Sequence, residues 1–348
     1  MPGWFSVRTV TVHNGAIPSV DGAVMGNLLI GNWTAEDTLS EIREGGRYIK
    51  HPSVFRKAVS AGGSSGFKAE PGRYHLYVST SCPWAHRAML FRVLKKLEGI
   101  VGMTDTAQTR AGQGWSFGQG GHVVPGTDRR VQYLHEIYTL ADPQCTSRVT
   151  VPTLWDAHTR TVVNNESAEI IRMFNSAFAA FAPPAPDYYP APLRAAIDAM
   201  NEKVLKGVNN GVNGCGRSAS QEAYEESFDL LFATLDELDD ILGRQRYLCG
   251  AQQTEADWRL YPNLVRFDSI FYIGYKCNLR RIEDYPNLSN YLRDLYQTPG
   301  IAAVSDVEAM KRAIFGGNGP VKGNGIVPKG PWLGLDRAHN RNRFRKAA

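Results

Sequence analysis

Residues 79–87 read Ser-Thr-Ser-Cys-Pro-Trp-Ala-His-Arg, and Cys82 is the member of that run with chemistry to offer. A sulfur nucleophile needs a position where its thiolate is favoured, and the flanking residues describe one. The apolar run Tyr74 to Val78 predicts a strand, while Leu90, Val93, Leu94 and Leu97 recur at helical spacing and predict a helix of about three to four turns. Pro83 suits the first turn of that helix, where a backbone N–H has no intrahelical partner. A thiol just before such a start lies near free N–H groups and the positive end of the helix dipole. Cys82 is therefore the candidate nucleophile, although the same residues also fit a buried structural cysteine followed by a chance proline.

The fourth position of a Cys-x-x-Cys motif is Ala85 here, so no resolving thiol stands beside Cys82. A one-cysteine site forms a mixed disulfide and is reset by an external thiol, for which glutathione is the usual small thiol of cells. The other cysteines, Cys145, Cys215, Cys249 and Cys277, are scattered, without the paired spacing of a zinc site or the density of a disulfide scaffold. No metal is expected, and the pattern fits a reducing compartment, the cytoplasm.

These residues must be positioned by a chain of 348 residues with 43% hydrophobic content, enough for two domains with cores of their own. Met1 to Val10 lacks a basic region followed by an apolar one, and no apolar run approaches bilayer length, so neither secretion nor a membrane partner is expected. The formal charge of +5 is modest, and part of it sits at Arg341, Arg343, Arg345 and Lys346. That tail reads as solvated and mobile; with no aromatic-basic face beside it, nucleic-acid binding is not expected.

Residues 1–70 read as an irregular extension ending in the loop Gly62 to Gly66. Residues 71–182 read as an α/β unit interrupted by a glycine-rich stretch, Gln108 to Asp128, in which Trp115 is either a lid over a ligand or an anchor for the loop. Val151-Pro152 stands at the entrance to a strand, where a proline is tolerated because it need not donate to the ladder; a cis peptide would bare the Val151 backbone to an extended ligand, and an ordinary trans proline is the commoner alternative. Thr161 to Val163 predicts a short strand, and Glu166-Ser167 then opens a helix carrying Ile170, Ile171 and Phe174. Free N–H groups there bind anions, with Glu166 able to hold an ammonium and Ser167 a carboxylate; capping by Ser167 with dipole compensation by Glu166 is the simpler alternative. The proline cluster Ala182 to Pro186 reads as a linker, and residues 190–312 as an all-helical domain, with Thr254 to Asp257 as a capping box and an early kink at Pro262. Residues 313–348 form the tail.

A thioredoxin-like α/β domain with a strand-entry proline and a Glu-Ser helix start, followed by an all-α domain, resembles the glutathione transferases. The runs Pro71 to Ser79, Cys82 to Arg87, Gly114 to Phe117, Val149 to Pro152, Asn164 to Ser167, Asn209 to Val212, Thr254 to Asp257, Arg266 to Asp268 and Lys276 to Asn278 resemble the xi class, the glutathionyl-hydroquinone reductases, over residues 50 to 310. The resemblance implies a homodimer and glutathione as co-substrate. It implies Cys82 as the catalytic thiol, Trp115 over the tripeptide and Arg148 at its glycyl end. Val151, before a cis Pro152, would pair with the cysteinyl backbone, and Glu166 and Ser167 would take the γ-glutamyl end. The substrate implied is a small, aromatic, glutathionylated acceptor: the Cys82 thiolate attacks its sulfur, the reduced aromatic leaves, and a second glutathione clears the resulting mixed disulfide.

Two positions depart from the family's pattern. Asn213 stands where the family continues with a tyrosine, and Ala313-Ile314-Phe315 stands where it has His-Tyr-Tyr. Asn213, Ile314 and Phe315 are therefore expected to line an acceptor pocket short of phenols. A glutaredoxin-like reductase of mixed disulfides and a non-catalytic glutathione- or ligand-binding protein are the competing functions that these residues also permit.

Overall fold

A computed structural model describes residues 26–36, 38–106, 112–316, 321 and 325–344. Residues 1–25 of the expected extension, part of the glycine-rich stretch, and Arg345 and Lys346 of the tail lie outside the described residues.

The region read as an irregular extension holds strands β1 (Asn27–Leu29), β2 (Asn32–Thr34), β3 (Val59–Ser60) and β4 (Phe67–Lys68). The α/β part follows as β5 (Tyr74–Val78), α1 (Pro83–Leu94), β6 (Gly102–Asp105), β7 (His122–Val123), β8 (Arg130–Val131), α2 (Leu134–Ala141), β9 (Ser147–Arg148), β10 (Thr153–Asp156), β11 (Thr161–Asn164) and α3 (Ser167–Ser176). Its central sheet has the order β11-β10-β5-β6, with β5 and β6 parallel and the β10 and β11 pairings antiparallel. Leu76 pairs with both Met103 and Leu154, and Leu76, Tyr77, Val78 and Leu154 are fully buried, because helices cover both faces of the sheet. This is a thioredoxin-like arrangement. Strand β9 leaves it to pair with β1, so the N-terminal segment is tied to the sheet's neighbourhood by a ladder, Asn27 with Arg148 and Leu28 with Ser147.

The second part is helical: α4 (Arg194–Lys203), α5 (Asn210–Arg217), α6 (Gln221–Arg244), α7 (Glu255–Arg266), α8 (Tyr272–Gly274), α9 (Leu288–Tyr296) and α10 (Val307–Phe315). The capping box at Thr254 forms as expected, Asp257 returning to the Thr254 N–H at 2.7 Å. Pro262 does not end the helix: α7 runs through it to Arg266, and the backbone widens into a π-type turn at Phe267–Phe271. Every residue of α7 is buried, so packing on all sides holds the helix across the hydrogen bond that proline removes.

The tail also departs from expectation. Arg341 is fully buried and donates to the carbonyls of Leu242 at 2.8 Å and of Gln245 and Arg246 at 2.6 Å. Those carbonyls end α6 and need donors, which the tail supplies.

Candidate active site

Cys82 is the N-cap of α1; its Sγ accepts from the Ala85 N–H at 3.5 Å and donates to the Val151 carbonyl at 3.5 Å. The Val151-Pro152 peptide is cis. The sulfur is partly exposed, whereas Cys145, Cys215 and Cys277 are buried. Burial pushes the Cys145 thiol up, that of Cys249 to about 11 and that of Cys277 well above the ordinary range, so all three stay protonated.

Two buried arginines, Arg87 and Arg266, are held near this thiol. Arg266 donates from Nη2 to the Thr80 carbonyl at 2.9 Å and from Nη1 to His86 Nδ1 at 2.8 Å. Burial, with Arg266 beside it, holds the His86 imidazole well below its usual value, so it is neutral and accepts that bond. Arg87 reaches Asn209 Oδ1 at 2.6 Å and Ser167 Oγ at 3.4 Å. Burial pulls the two guanidiniums down, Arg87 to about 9 and Arg266 to about 10, and the Cys82 charge acts on both in the opposite direction.

The start of α3 faces the same cleft. Glu166, not Ser167, is the N-cap: its carboxylate accepts from the Ala168 N–H at 3.2 Å, from Lys50 Nζ at 3.0 Å and from Ser53 Oγ at 3.1 Å. Burial alone would raise this carboxyl; Lys50, the Ala168 N–H and Arg87 outweigh it and hold Glu166 at about 2. Ser167 is buried and its hydroxyl lies between Arg87 and Glu166. Trp115 is an anchored wall: its indole donates to the Val149 carbonyl at 3.1 Å and its face lines the cleft. Arg148 donates to the Leu39 carbonyl at 2.6 Å and lines the cleft too.

This cleft, about 1080 Å³ of open space, brings Cys82, Trp115, Arg148, Val151 and Ser167 together with Asn213 and Ile314. Glu166 stands behind its rim, bonded to Lys50. Asn213, which lines the cleft, turns its amide N–H back to the Asn209 carbonyl at 2.8 Å. Phe315 instead packs against Gly274, where a Cβ would meet its ring at 3.1 Å. The cleft is not short of phenols, because Tyr48 and Tyr275 line it. Among the described residues there is no cluster of acidic, histidine and cysteine side chains suited to a metal, and no helix is long and apolar enough to cross a membrane.

The family description "Glutathione S-transferase, N-terminal domain" matches residues 81–177, and "Glutathione S-transferase, C-terminal domain" matches residues 221–294. The chain is 43% identical to the glutathionyl-hydroquinone reductase YqjG of Escherichia coli, with 91% of this chain and 99% of that one covered. It is 44% identical to the glutathionyl-hydroquinone reductase PcpF of Sphingobium chlorophenolicum, over 88% and 96% of the two chains. A xi-class glutathione transferase structure from Natrialba magadii superposes with a TM-score of 0.83 at 38% identity, covering 92% of this chain and 98% of that one. The chain belongs to the xi-class glutathione transferases. The glutathione-bound structure of the Escherichia coli YqjG matches with a TM-score of 0.78 at 44% identity, covering 83% of this chain and 96% of that one.

Several residues around this xi-class cleft carry no signal in the sequence. Glu41, Tyr48, Lys50 and Ser53 arrive from the N-terminal segment, whose residues lack the periodicity that marks an element. Trp84 lies within the Cys82 run, and Lys50 Nζ and the Arg87 guanidinium carbon each lie 4.5 Å from the centre of its ring. Arg217 reaches the cleft from the end of α5 and Tyr275 from just after α8.

Proposed function

We propose that this xi-class transferase is an enzyme that removes glutathione reductively from glutathionyl-(hydro)quinone-type conjugates through a Cys82–glutathione mixed disulfide. One observation carries this reading: a partly exposed thiol at a helix start faces the Val151 carbonyl, in one cleft with the buried Ser167 that opens α3, whose N-cap Glu166 stands behind the rim. The relatives named glutathionyl-hydroquinone reductases support the substrate class.

In this reading, glutathione lies across the α/β wall. Its γ-glutamyl ammonium meets Glu166 and its α-carboxylate meets Ser167 and the free N–H groups of α3. Val151, next to Pro152, pairs with the cysteinyl backbone, Trp115 covers the tripeptide, and Arg148 reaches the glycyl carboxylate. Lys50 and Ser53 keep the Glu166 carboxylate ionised and aimed. The Cys82 thiolate attacks the conjugate's sulfur; the sulfur–ring bond breaks, its electron pair stays with the ring, and a proton completes the new C–H bond. The thiolate of a second glutathione then attacks the mixed disulfide, releasing oxidised glutathione and restoring the Cys82 thiolate. The net change reduces the ring carbon and oxidises two glutathione sulfurs. The five free cysteines support a reducing, cytoplasmic setting, and the family supports a homodimer.

The test is turnover of a glutathionyl-hydroquinone beside a small glutathione mixed disulfide, on wild type and Cys82→Ser, with intact-mass detection of one glutathionyl group on Cys82. Turnover of the aromatic conjugate that survives Cys82→Ser sinks the mechanism. Turnover of the mixed disulfide alone favours a glutaredoxin-like reductase.

A further inference from the structure

The acceptor end of the cleft holds a cation whose position is built from three separate pieces of chain. Arg217, the last residue of α5, donates from Nη1 to Glu41 Oε2 at 2.8 Å. Its guanidinium carbon lies 5.5 Å from the centre of the Tyr48 ring, and Tyr275 joins the same lining from a third segment. All four residues line the cleft that contains Cys82.

The arrangement is specified by close approach. A Cβ at Gly216 would stand 1.9 Å from the Tyr275 ring, so glycine lets that ring lie on α5 beside Arg217. Gly46, at φ 76°, packs so that a Cβ would meet the Ser220 nitrogen at 2.6 Å. The Ala219 N–H donates to the Gly46 carbonyl at 2.8 Å and Ser220 Oγ to the Gly45 carbonyl at 2.8 Å. These contacts bring the N-terminal segment, with Glu41 and Tyr48, against the end of α5.

The chemistry of the cluster is one-sided. Arg217 and the two phenols supply N–H and O–H donors, and Glu41 is already bonded to Arg217. The Arg217 side chain is 29% exposed and that of Glu41 15%, so the cation opens to the cleft more than its counter-ion does. Burial works against the Arg217 charge, but Tyr275, Tyr48 and Glu41 together outweigh it. The other cations of the cleft stand on the α/β side: Lys50 bonds Glu166, and Arg148 bonds the Leu39 carbonyl. An arginine beside Asn213 and Ile314 therefore addresses whatever the conjugate carries beyond its sulfur.

We propose that Arg217, flanked by Tyr48 and Tyr275, determines acceptor specificity and selects glutathionylated aromatics that carry an anionic oxygen, a carboxylate or an ionised phenol, on the ring. This rests on the deglutathionylation reading above. The planar guanidinium suits an oxyanion, and the phenols donate to the same oxygen or its neighbour. Glu41 holds Arg217 in place while sharing its charge, which sets how strongly the anion is preferred.

The experiment compares kcat/KM for two matched conjugates, one with a ring carboxylate and one with the carboxamide of the same shape. Wild type should prefer the carboxylate by roughly tenfold, the scale of one charge-assisted hydrogen bond partly offset by Glu41. Arg217→Gln should bring the ratio to about one, and Glu41→Gln, which keeps a hydrogen-bond acceptor and removes the competing charge, should raise it above wild type. A third conjugate, whose phenol is acidified by ring halogens, separates a phenolate preference from a carboxylate one by its rise in relative rate as pH passes the phenol's own pKa. Equal use of carboxylate and carboxamide by wild type, or a preference that survives Arg217→Gln, overturns the proposal. Should neither aromatic conjugate be turned over, the deglutathionylation reading fails, and calorimetric binding of both conjugates to Cys82→Ala still decides this one by the ratio of their Kd values. Glu41→Gln keeps the test informative if Arg217→Gln does not fold.

Discussion

Arg266 Nη2 and the Thr80 carbonyl, 2.9 Å apart, tie a helix of the second half of the chain to the turn that carries Cys82. The same guanidinium bonds His86, one turn into α1, and the Pro262 carbonyl of its own helix. The nucleophile's loop is thus held by the helical part as well as by the sheet.

Arg266→Met should expose what that tie contributes. The variant removes the donors to Thr80 and His86 without leaving a buried charge, and each buried acceptor left unpaired costs about 1–3 kcal/mol. A lower midpoint in urea and slower alkylation of Cys82 in the folded protein are the expected results. Stability lost with the Cys82 alkylation rate unchanged would show that Arg266 braces the fold and not the thiol.

Cys82 itself should be the fast thiol. Alkylation with a limiting amount of reagent, mapped by peptide mass, should label Cys82 before any other cysteine, because burial keeps Cys145, Cys249 and Cys277 protonated. Labelling of Cys249 at a comparable rate near neutral pH would contradict that ordering.

How far the sequence reaches can be judged from these residues. Cys82, Val151, Pro152 and the Glu166-Ser167 start lie in contiguous runs beside strands and helices that announce themselves by periodicity, so the α/β wall was legible. The placement of the cap on Glu166 was not, because it depends on Lys50 and Ser53 arriving from a segment distant in the chain. The phenols of the cleft are not legible for the same reason. Counting the phenols missing at Asn213 and in Ala313 to Phe315 says nothing of Tyr48 and Tyr275, which reach the cleft through contacts at Gly46 and Gly216 that no local pattern encodes.

The docked tail makes a stability prediction. Arg341→Ala leaves the carbonyls of Leu242, Gln245 and Arg246 without their donor, at about 1–3 kcal/mol for each that water does not reach. The variant should melt at a lower temperature, and amides at the end of α6 should exchange faster, with kcat little changed because the tail contact is at the far end of that helix from Arg217. An unaltered melting temperature would mean that solvent replaces Arg341 at no cost.

Glu166 gives the pH dependence its sign. Its carboxyl is held at about 2 in the folded chain against an ordinary value of 4.5, so the folded state binds the proton less tightly than the unfolded one. The resulting stabilisation is complete above about 4.5, and it is lost as pH falls from there through about 2. A shift of this size corresponds to about 3–3.5 kcal/mol at neutral pH, less whatever solvent screening removes. Glu166→Gln should therefore lower stability near neutral pH and flatten its fall between those two values, as followed by urea unfolding across the range. If Glu166 also holds the γ-glutamyl ammonium, the same variant raises the KM for glutathione and leaves the ratio between carboxylate and carboxamide conjugates in place, since that ratio belongs to Arg217. A KM unchanged by Glu166→Gln, with the acid profile altered as described, would keep the electrostatic argument and remove Glu166 from the binding site.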